Sequence, residues 1–574
     1  MRETIPLSVP SLTGNEWNYL KDCLDTGWVS SVGSYVDRFE QSVSEYVGTQ
    51  FGVATVNGTA ALHLSLLACG VQRGDEVLAP SFTFIAPVNA IHYCGAEPVF
   101  IGSDPATFNL DPGKVRQFLT EECTREADVV LNRRTGRRVT AILPVHIFGH
   151  PVDMDPLNAI AAEFQLPVIE DASESLGSDY RERKTGGLAK VGCFSFNGNK
   201  IITCGGGGMV TTSDEALASH IRHLSTQANR RPFEYEHDEV GFNYRLTNIQ
   251  AALGVAQLEQ LDGFLEIKRR NACLYRELLE EIPQVELAWE EPWARSNFWL
   301  CALLVPPADR GPLMEFLLER RVQVRPAWKL MHTLSMYQHC QTYQLEETEA
   351  AYARCISIPS SVQLSEADIR YVVECGGHAR VLIDLLLEWG SYMPAGILDP
   401  ELAVGSQIKG VPVLGTDEEL RAQQEQGIQH AVVAVGSTRS TNLRRKLYGQ
   451  LRELGFEQPP LVHSSAILSS SVILDEGAQV MAGAIIQTET RIGAGAVVNT
   501  GARIDHDCEI KQHAFLAPGV ILSGGVTVGE NAFLGAGAVV IQGTHIGNNA
   551  VIAAGAVVVR DVEDGALVKG VPAK

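Results

Sequence analysis

The sequence predicts an α/β chain in three parts. A parallel-sheet domain covers residues 1–370, a small Rossmann-like α/β unit covers 371–460, and a parallel β-helix covers 461–574. Three observations carry this. Residues 1–370 alternate short apolar runs, as at 75–79, 141–145 and 167–170, with amphipathic stretches, which is the βαβ rhythm of a sheet covered by helices. YVVE, a Gly-Gly turn and ARVLIDLLLEW then read as strand, turn and helix, with AGILD and HAVVAV as later strands, an order that suits nucleotide phosphate binding. From Val462 to Val558, seventeen successive sixth positions are aliphatic.

Within the first part, the stretch 246–265 has helical spacing and is expected to pack against a core or a partner. The six-residue period of the last part fits neither a helix nor an alternating strand. It fits a solenoid with three short faces per coil, each inward aliphatic residue stacking on the coil below. The residue two before each is usually small, as at Ala496, Ala502, Cys508 and Ala514, which opens room for tight corners.

Composition narrows the function. A net charge of −22 argues against nucleic acid or an anionic membrane as the main partner. The twelve cysteines are scattered singly, without CxxC or ligand-like Cys/His spacing, so reduced cytoplasmic thiols are expected and no metal centre. The start, MRETIPLSVP, lacks a basic region followed by an apolar core, and no apolar run approaches a membrane span. A cytoplasmic enzyme is expected.

Five segments occur in a telling order: VNGTAALHL (56–64), PSFTFIAPVNAI (80–91), IEDASESLGS (169–178), FSFNGNKIITCGGGGM (194–209) and GFNYRLTNIQAALG (241–254). Together they make the first part resemble the DegT/DnrJ family of nucleotide-sugar aminotransferases. GWVSSVGSYVDRFE (27–40) and LPVHIFGHPVDMD (143–155) bring it closest to the branch that aminates 4-keto-6-deoxy sugar nucleotides toward legionaminic acid or bacillosamine. The resemblance implies the pyridoxal-phosphate fold-type I architecture and pyridoxal 5'-phosphate as cofactor. Lys200 then forms the Schiff base and shuttles the proton, and Asp171 faces the pyridine nitrogen. Gly58, Thr59 and Ser195 hold the phosphate, Phe84 stacks on the ring and Glu174 stands near the phenolic oxygen. Asn243 is implied to reach the phosphate from a neighbouring subunit, which makes a dimer. Glutamate is the implied amino donor. Arg325 and His332, in VRPAWKLMH, are candidate contacts to the sugar nucleotide, whereas His146 and His150 read as structural. A lysine at 200, where some members carry histidine, favours amine transfer over removal of a hydroxyl.

CGGHARVLID (375–384), ILDPE, GVPVLGTDEEL and the coils resemble the bacillosamine-type hexapeptide-repeat sugar N-acetyltransferases. That resemblance implies a left-handed coil, against the usual crossover hand, with acetyl-CoA lying along the coils between two subunits. It implies Gly376, Gly377 and His378 as a phosphate loop and Asp399 as a nucleoside contact. NTGARIDHDCEI (499–510) matches the catalytic segment, with His506 as base and Asp507 as its acidic neighbour. An imidazole of pKa about 6.5 suits deprotonation of a 4-ammonium group, and the Gly525 N–H is a candidate to polarise the thioester carbonyl. Two positions depart from the pattern: Glu374 replaces a turn glycine, and Phe515 replaces a second histidine.

The expected whole is a bifunctional enzyme that transaminates a UDP- or GDP-linked 4-keto-6-deoxy-N-acetylhexosamine at carbon 4 and then N-acetylates the new amine. A narrower alternative keeps the aminotransferase and makes the β-helix an assembly and regulatory module; Glu374 favours it and His506 opposes it. A second alternative is amine transfer at another carbon or to a scyllo-inosose-type substrate. Coils that trimerise, joined to a domain that dimerises, close as a hexamer of dihedral symmetry.

Overall fold

The computed structural model describes residues 4–574 except 128, 232–233, 280–281, 283–284, 375–381, 384, 387–391, 400–403, 406, 409 and 438–439. Two units divide the chain, Thr4–Val372 and Val373–Lys574.

In the first unit the apolar runs become β1 (Phe51–Thr55), β2 (Glu76–Pro80), β3 (Glu97–Ile101), β4 (Arg138–Ile142), β5 (Ile169–Asp171), β6 (Val191–Ser195) and β7 (Gly208–Thr212). They order as β1-β7-β6-β5 and β4-β2-β3, and parallel bridges at Ile142–Val168 and Val145–Asp171 join the two groups. β7 runs antiparallel to both neighbours, while β5 with β6 and β2 with β3 and β4 are parallel. Both faces are covered. Val77 and Ala79 of β2 enter one core, and Leu78 enters another with Val99 and Ile142. That double burial is why these strands read as continuous apolar runs rather than as alternating ones. Helix α1 (Gly58–Ala68) follows β1 and buries Leu62, Leu64 and Leu66 in the first core. The carboxyl ends of β1, β2, β5 and β6 lie at one edge, the usual place for a ligand in such a sheet. The stretch 246–265 is not one helix but parts of two, Asn248–Leu258 and Leu261–Leu279, the first started by a Thr247/Gln250 capping box.

YVVE is not a strand. It is the last turn of a helix, Glu366–Glu374. Ser365 Oγ accepts from the Asp368 N–H at 3.1 Å, and the Asp368 carboxylate accepts from the Ser365 N–H at 3.0 Å. This reciprocal cap starts a helical register that buries Ile369 and Val372 on one side. Ile397–Leu398 pairs in parallel with Val411–Gly415, but among the described residues 430–435 makes only the His430–Glu457 bridge, so HAVVAV does not form the expected strand. Residues 396–398 and 432–435 instead line a cavity of about 560 Å³.

The coils match their period. Leu461–Val462 pairs with Gln479–Val480, then with Val497–Val498 and onward, and three parallel sheets of seven, six and five strands result. The ladder residues from Val480 to Val558 form one buried stack with Ala496, Ala502, Cys508 and Ala514. Val462, Leu468 and Leu474 of the first coil are partly buried. Among the described residues no helix is long and apolar enough to cross a membrane, and eleven described cysteines are free.

Candidate active sites

The sequence segments of the first unit converge at the carboxyl edge of its sheet. β5 delivers Asp171, the turn after it Glu174, β6 Ser195 and the following loop Lys200. Gly58 and Thr59 open α1, where Asn57 caps the helix by accepting from the Ala60 N–H at 2.8 Å. The first N–H groups of a helix have no partner within it and face an anion readily. Gly58 is required here: a Cβ on it would sit 2.7 Å from the Ser195 Cβ, so only glycine lets α1 begin against β6.

Lys200 Nζ lies 3.8 Å from Glu174 Oε1 and 3.9 Å from the centre of the Trp299 ring. Burial pulls the amine's pKa down, while Glu174 and Asp171 oppose that pull. Asp171 is buried, which raises its carboxyl, and the Ser173 N–H reaches it at 3.0 Å. Burial also drives Glu174 up to about 7, although its Oε2 accepts from the Phe148 N–H at 2.8 Å. A buried amine, two buried carboxyls and a helix N-terminus can bind a phosphorylated cofactor and pass protons at neutral pH.

Glu174 gives a stability prediction. Its carboxyl rises from an ordinary 4.5 to about 7, so its contribution is fully present below pH 4.5 and is lost as pH rises through 7. Glu174→Gln carries no such loss. Relative to wild type it should gain up to about 3 kcal/mol between pH 5 and pH 8. Urea unfolding of the cofactor-free chain at the two pH values measures this, and identical pH dependence in both proteins would refute it.

Trp299 belongs to none of the sequence segments that mark the site. Its indole N–H donates to the Asn199 carbonyl at 2.7 Å, and the buried Lys268 donates to the Trp299 carbonyl at 3.0 Å. The ring is thereby held over the lysine. A cation–π contact of this kind favours the charged amine by about 1–2 kcal/mol when desolvated. The available signal was a tryptophan in SNFW, just ahead of an apolar strand.

Phe84 is half-exposed, its ring 6.2 Å from Trp328. Asn243 is exposed beside its bridge to Thr226. His332 Nδ1 is 2.7 Å from Ser81 Oγ, just past β2, and its Nε2 is 3.2 Å from Glu349. Arg325 is exposed in a short strand beside Ile356–Ser357. His146 is buried, donating from Nε2 to Glu170 at 2.8 Å and accepting at Nδ1 from the Val152 N–H at 2.9 Å. His150 bonds the Pro151 carbonyl and accepts from the Glu291 N–H, and burial lowers it to about 4. Both histidines spend both ring nitrogens on packing.

On the coils, His506 stands half-exposed with Nδ1 2.7 Å from Asp507 Oδ2. That bond directs the Nδ1 proton to the carboxylate and leaves Nε2 to accept a proton. It also raises the imidazole above its ordinary value. One coil further, Gly524 lies under the ring, and a Cβ there would come within 2.6 Å of it. The Gly525 N–H, expected to polarise the thioester carbonyl, is instead spent on the His506 carbonyl at 2.9 Å. Phe515 packs face to face on Phe533, centroids 5.6 Å apart, in a cluster with Leu382, Leu385 and Leu461. The departure at 515 therefore serves packing of the α/β segment.

Gly376, Gly377 and His378 lie outside the described residues. Asp399 is half-buried on the lining of the 560 Å³ cavity together with Asp417, whose carboxyl is raised by burial and by Asp399. The rest of that lining is largely apolar, and two neighbouring carboxyls oppose phosphate binding there.

Comparison with known proteins gives four domain matches. Residues 10–375 match the DegT/DnrJ/EryC1/StrS aminotransferase family, 371–451 the PglD N-terminal domain, 507–542 the bacterial transferase hexapeptide, and 525–560 the hexapeptide repeat of succinyl-transferase. A GDP-perosamine synthase of Caulobacter vibrioides is 39% identical over 378 residues, covering 64% of this chain and 96% of that protein. One from Escherichia coli O157:H7 is 38% identical over 372 residues, covering 64% and 97%. Among solved structures, DesI with its TDP-sugar product is 30% identical with a TM-score of 0.59, covering 65% of this chain and 92% of that one. A DegT DnrJ EryC1 StrS aminotransferase from Brucella abortus is 29% identical with a TM-score of 0.58, covering 62% and 94%.

Proposed function

Because the chain belongs to the DegT/DnrJ/EryC1/StrS aminotransferase family, we propose that its first unit aminates carbon 4 of a nucleotide-linked 4-keto-6-deoxy sugar, with glutamate as donor. The chain is a fusion of that aminotransferase with PglD-type and hexapeptide-repeat acyltransferase domains, and its coils are a left-handed parallel β-helix. The proposed boundaries are 1–370, 371–460 and 461–574.

Aminotransferases of this family depend on pyridoxal phosphate, and the residues fit it. Gly58, Thr59 and Ser195 offer the phosphate a close, positively polarised helix start. Asp171 offers a buried carboxyl that a pyridinium N–H would satisfy. Phe84 is a half-exposed aromatic 6.2 Å from the Trp328 ring and would stack on the cofactor, and the exposed Asn243 would reach the phosphate of a neighbouring subunit. When bound, the cofactor supplies the electron sink. Lys200 holds and returns the proton at its Nζ, with Glu174 beside it and Trp299 screening it from water. The observation that carries this reading is Lys200 Nζ held between Glu174 and Trp299.

The second unit acetylates the new 4-amino group from acetyl-CoA, with His506 Nε2 taking the ammonium proton. The His506–Asp507 pair carries that step. Gly524→Ala, which crowds the imidazole, should lower acetyl transfer roughly 10²-fold while thermal unfolding of the coils barely moves. An unchanged rate would remove the assigned role of the ring position.

The names of the relatives favour a guanosine-linked sugar. With a 2-N-acetyl substrate, the product is a nucleotide 2,4-diacetamido-2,4,6-trideoxyhexose for legionaminic acid or bacillosamine-type sugars. The test is incubation with GDP- and UDP-linked 4-keto sugars, glutamate and acetyl-CoA, followed by mass spectrometry and NMR of the product. Amination then acetylation is expected for one sugar; no mass gain with either would overturn the reading. One observation favours the narrower alternative, the acidic lining at Asp399 and Asp417. Wild-type protein that consumes no acetyl-CoA with a supplied 4-amino sugar would leave the β-helix as an assembly module. A dimer through the first unit and a trimer through the coils give a hexamer, and light scattering that returns a monomer would contradict both contacts.

A further inference from the structure

At the end of the sheet away from Lys200, where β3 begins, three metal-ligating side chains meet. Glu97 Oε2 lies 3.2 Å from His339 Nε2 and 3.5 Å from Cys340 Sγ, and Cys340 Sγ lies 3.8 Å from His339 Nε2. We propose that Glu97, His339 and Cys340 bind a divalent transition-metal ion of the zinc class.

The spacing carries the argument. A tetrahedral ion with bonds of about 2.0–2.3 Å sets its ligand atoms roughly 3.3–3.6 Å apart, and the three separations bracket that range. An ion pair joins Glu97 to His339 and a thiol hydrogen bond joins Cys340 to the same carboxylate oxygen, and together they gather one oxygen, one nitrogen and one sulfur within 4.8 Å of one another, as a single ion requires. Thiolate, imidazole and carboxylate together select zinc-like ions over magnesium or calcium.

The protein also holds the ligands in place. The Gln341 carbonyl accepts from the Phe100 N–H at 2.9 Å, and the Gln341 side chain accepts from Asn132 at 2.8 Å. Thr342–Tyr343 then pairs in parallel with Phe100–Ile101. His339 and Cys340 therefore sit on backbone fixed to β3, beside Glu97. His339 is 60% exposed, which gives an ion its entry path and a fourth, water-filled position. On binding, the sulfur–metal bond replaces the S–H bond, the thiol proton leaves to solvent, and no electron is transferred. The loop so clamped runs back to Met331, whose N–H donates to the Ser81 carbonyl at 3.0 Å beside β2. Sequence spacing hides the site, because Glu97 and His339 are 242 residues apart.

The test is titration of the chelator-stripped full-length holoenzyme with Co²⁺. Visible d–d bands of tetrahedral intensity, saturating at a single equivalent and erased by Zn²⁺, are expected. Cys340→Ser and His339→Ala should lose the bands and keep transamination, and Cys273→Ser, at an exposed cysteine, should keep them. Absence of tetrahedral bands in wild type, or bands that persist in both Cys340→Ser and His339→Ala, would overturn the proposal. Should Cys340→Ser fail to fold, the exposed His339→Ala decides alone.

Discussion

Lys200→Ala is expected to abolish amine transfer, lowering kcat by at least about 10³-fold, and to remove the cofactor's lysine-linked visible absorbance. Among the described residues no neighbour can replace it. The described groups closest to its Nζ are a carboxyl and an indole face, and neither is a nucleophilic amine. Lys268 is also buried in this unit, but its Nζ is tied to the Trp299 and Ser360 carbonyls at 3.0 and 2.6 Å. Acetylation of a supplied 4-amino sugar should be untouched, because His506 belongs to the other unit. The two activities are read separately by glutamate-dependent amination and by CoA release. Amine transfer within tenfold of wild type would dismiss Lys200 as the catalytic base.

His506→Ala should do the reverse. CoA release with a 4-amino sugar falls by about 10²–10⁴-fold, the usual value of a general base, while amination proceeds. The pH profile gives an independent reading. The Asp507 hydrogen bond raises the His506 imidazole, and catalysis needs it unprotonated, so the acidic limb lies above the ordinary imidazole value. Asp507→Asn removes the anion and should move that limb to lower pH. A limb that stays in place in Asp507→Asn would detach the pair from the chemistry.

Much of the first site was legible because its residues sit in short segments of fixed order. Gly58, Asp171, Glu174, Ser195 and Lys200 each follow a strand or open a helix, and strand ends converge in such a sheet. Trp299 was not legible, since it enters from a loop far along the chain and acts through its ring face, not through a motif. Gly524 was hidden for a different reason. It is eighteen positions after His506, a separation that means adjacency only once the coil length is known. YVVE is ambiguous because a four-residue, mostly apolar run is too short to decide between strand and helix. The deciding cap, Ser365 with Asp368, lies upstream of that window.

The register of the coils also limits how this gene can gain or lose length. Each turn of the solenoid consumes eighteen residues until the last, which takes sixteen, so inside the coils only whole turns can be inserted or excised without moving every later residue to a different face. Excision of 511–528 would respect that rule and leave a shorter, continuous stack. It would also slide Gln542 into the place of Gly524 beneath the His506 ring. Such an excision should yield a folded protein that aminates and does not acetylate, so turn number and chemistry can drift apart in this lineage by a single recombination event.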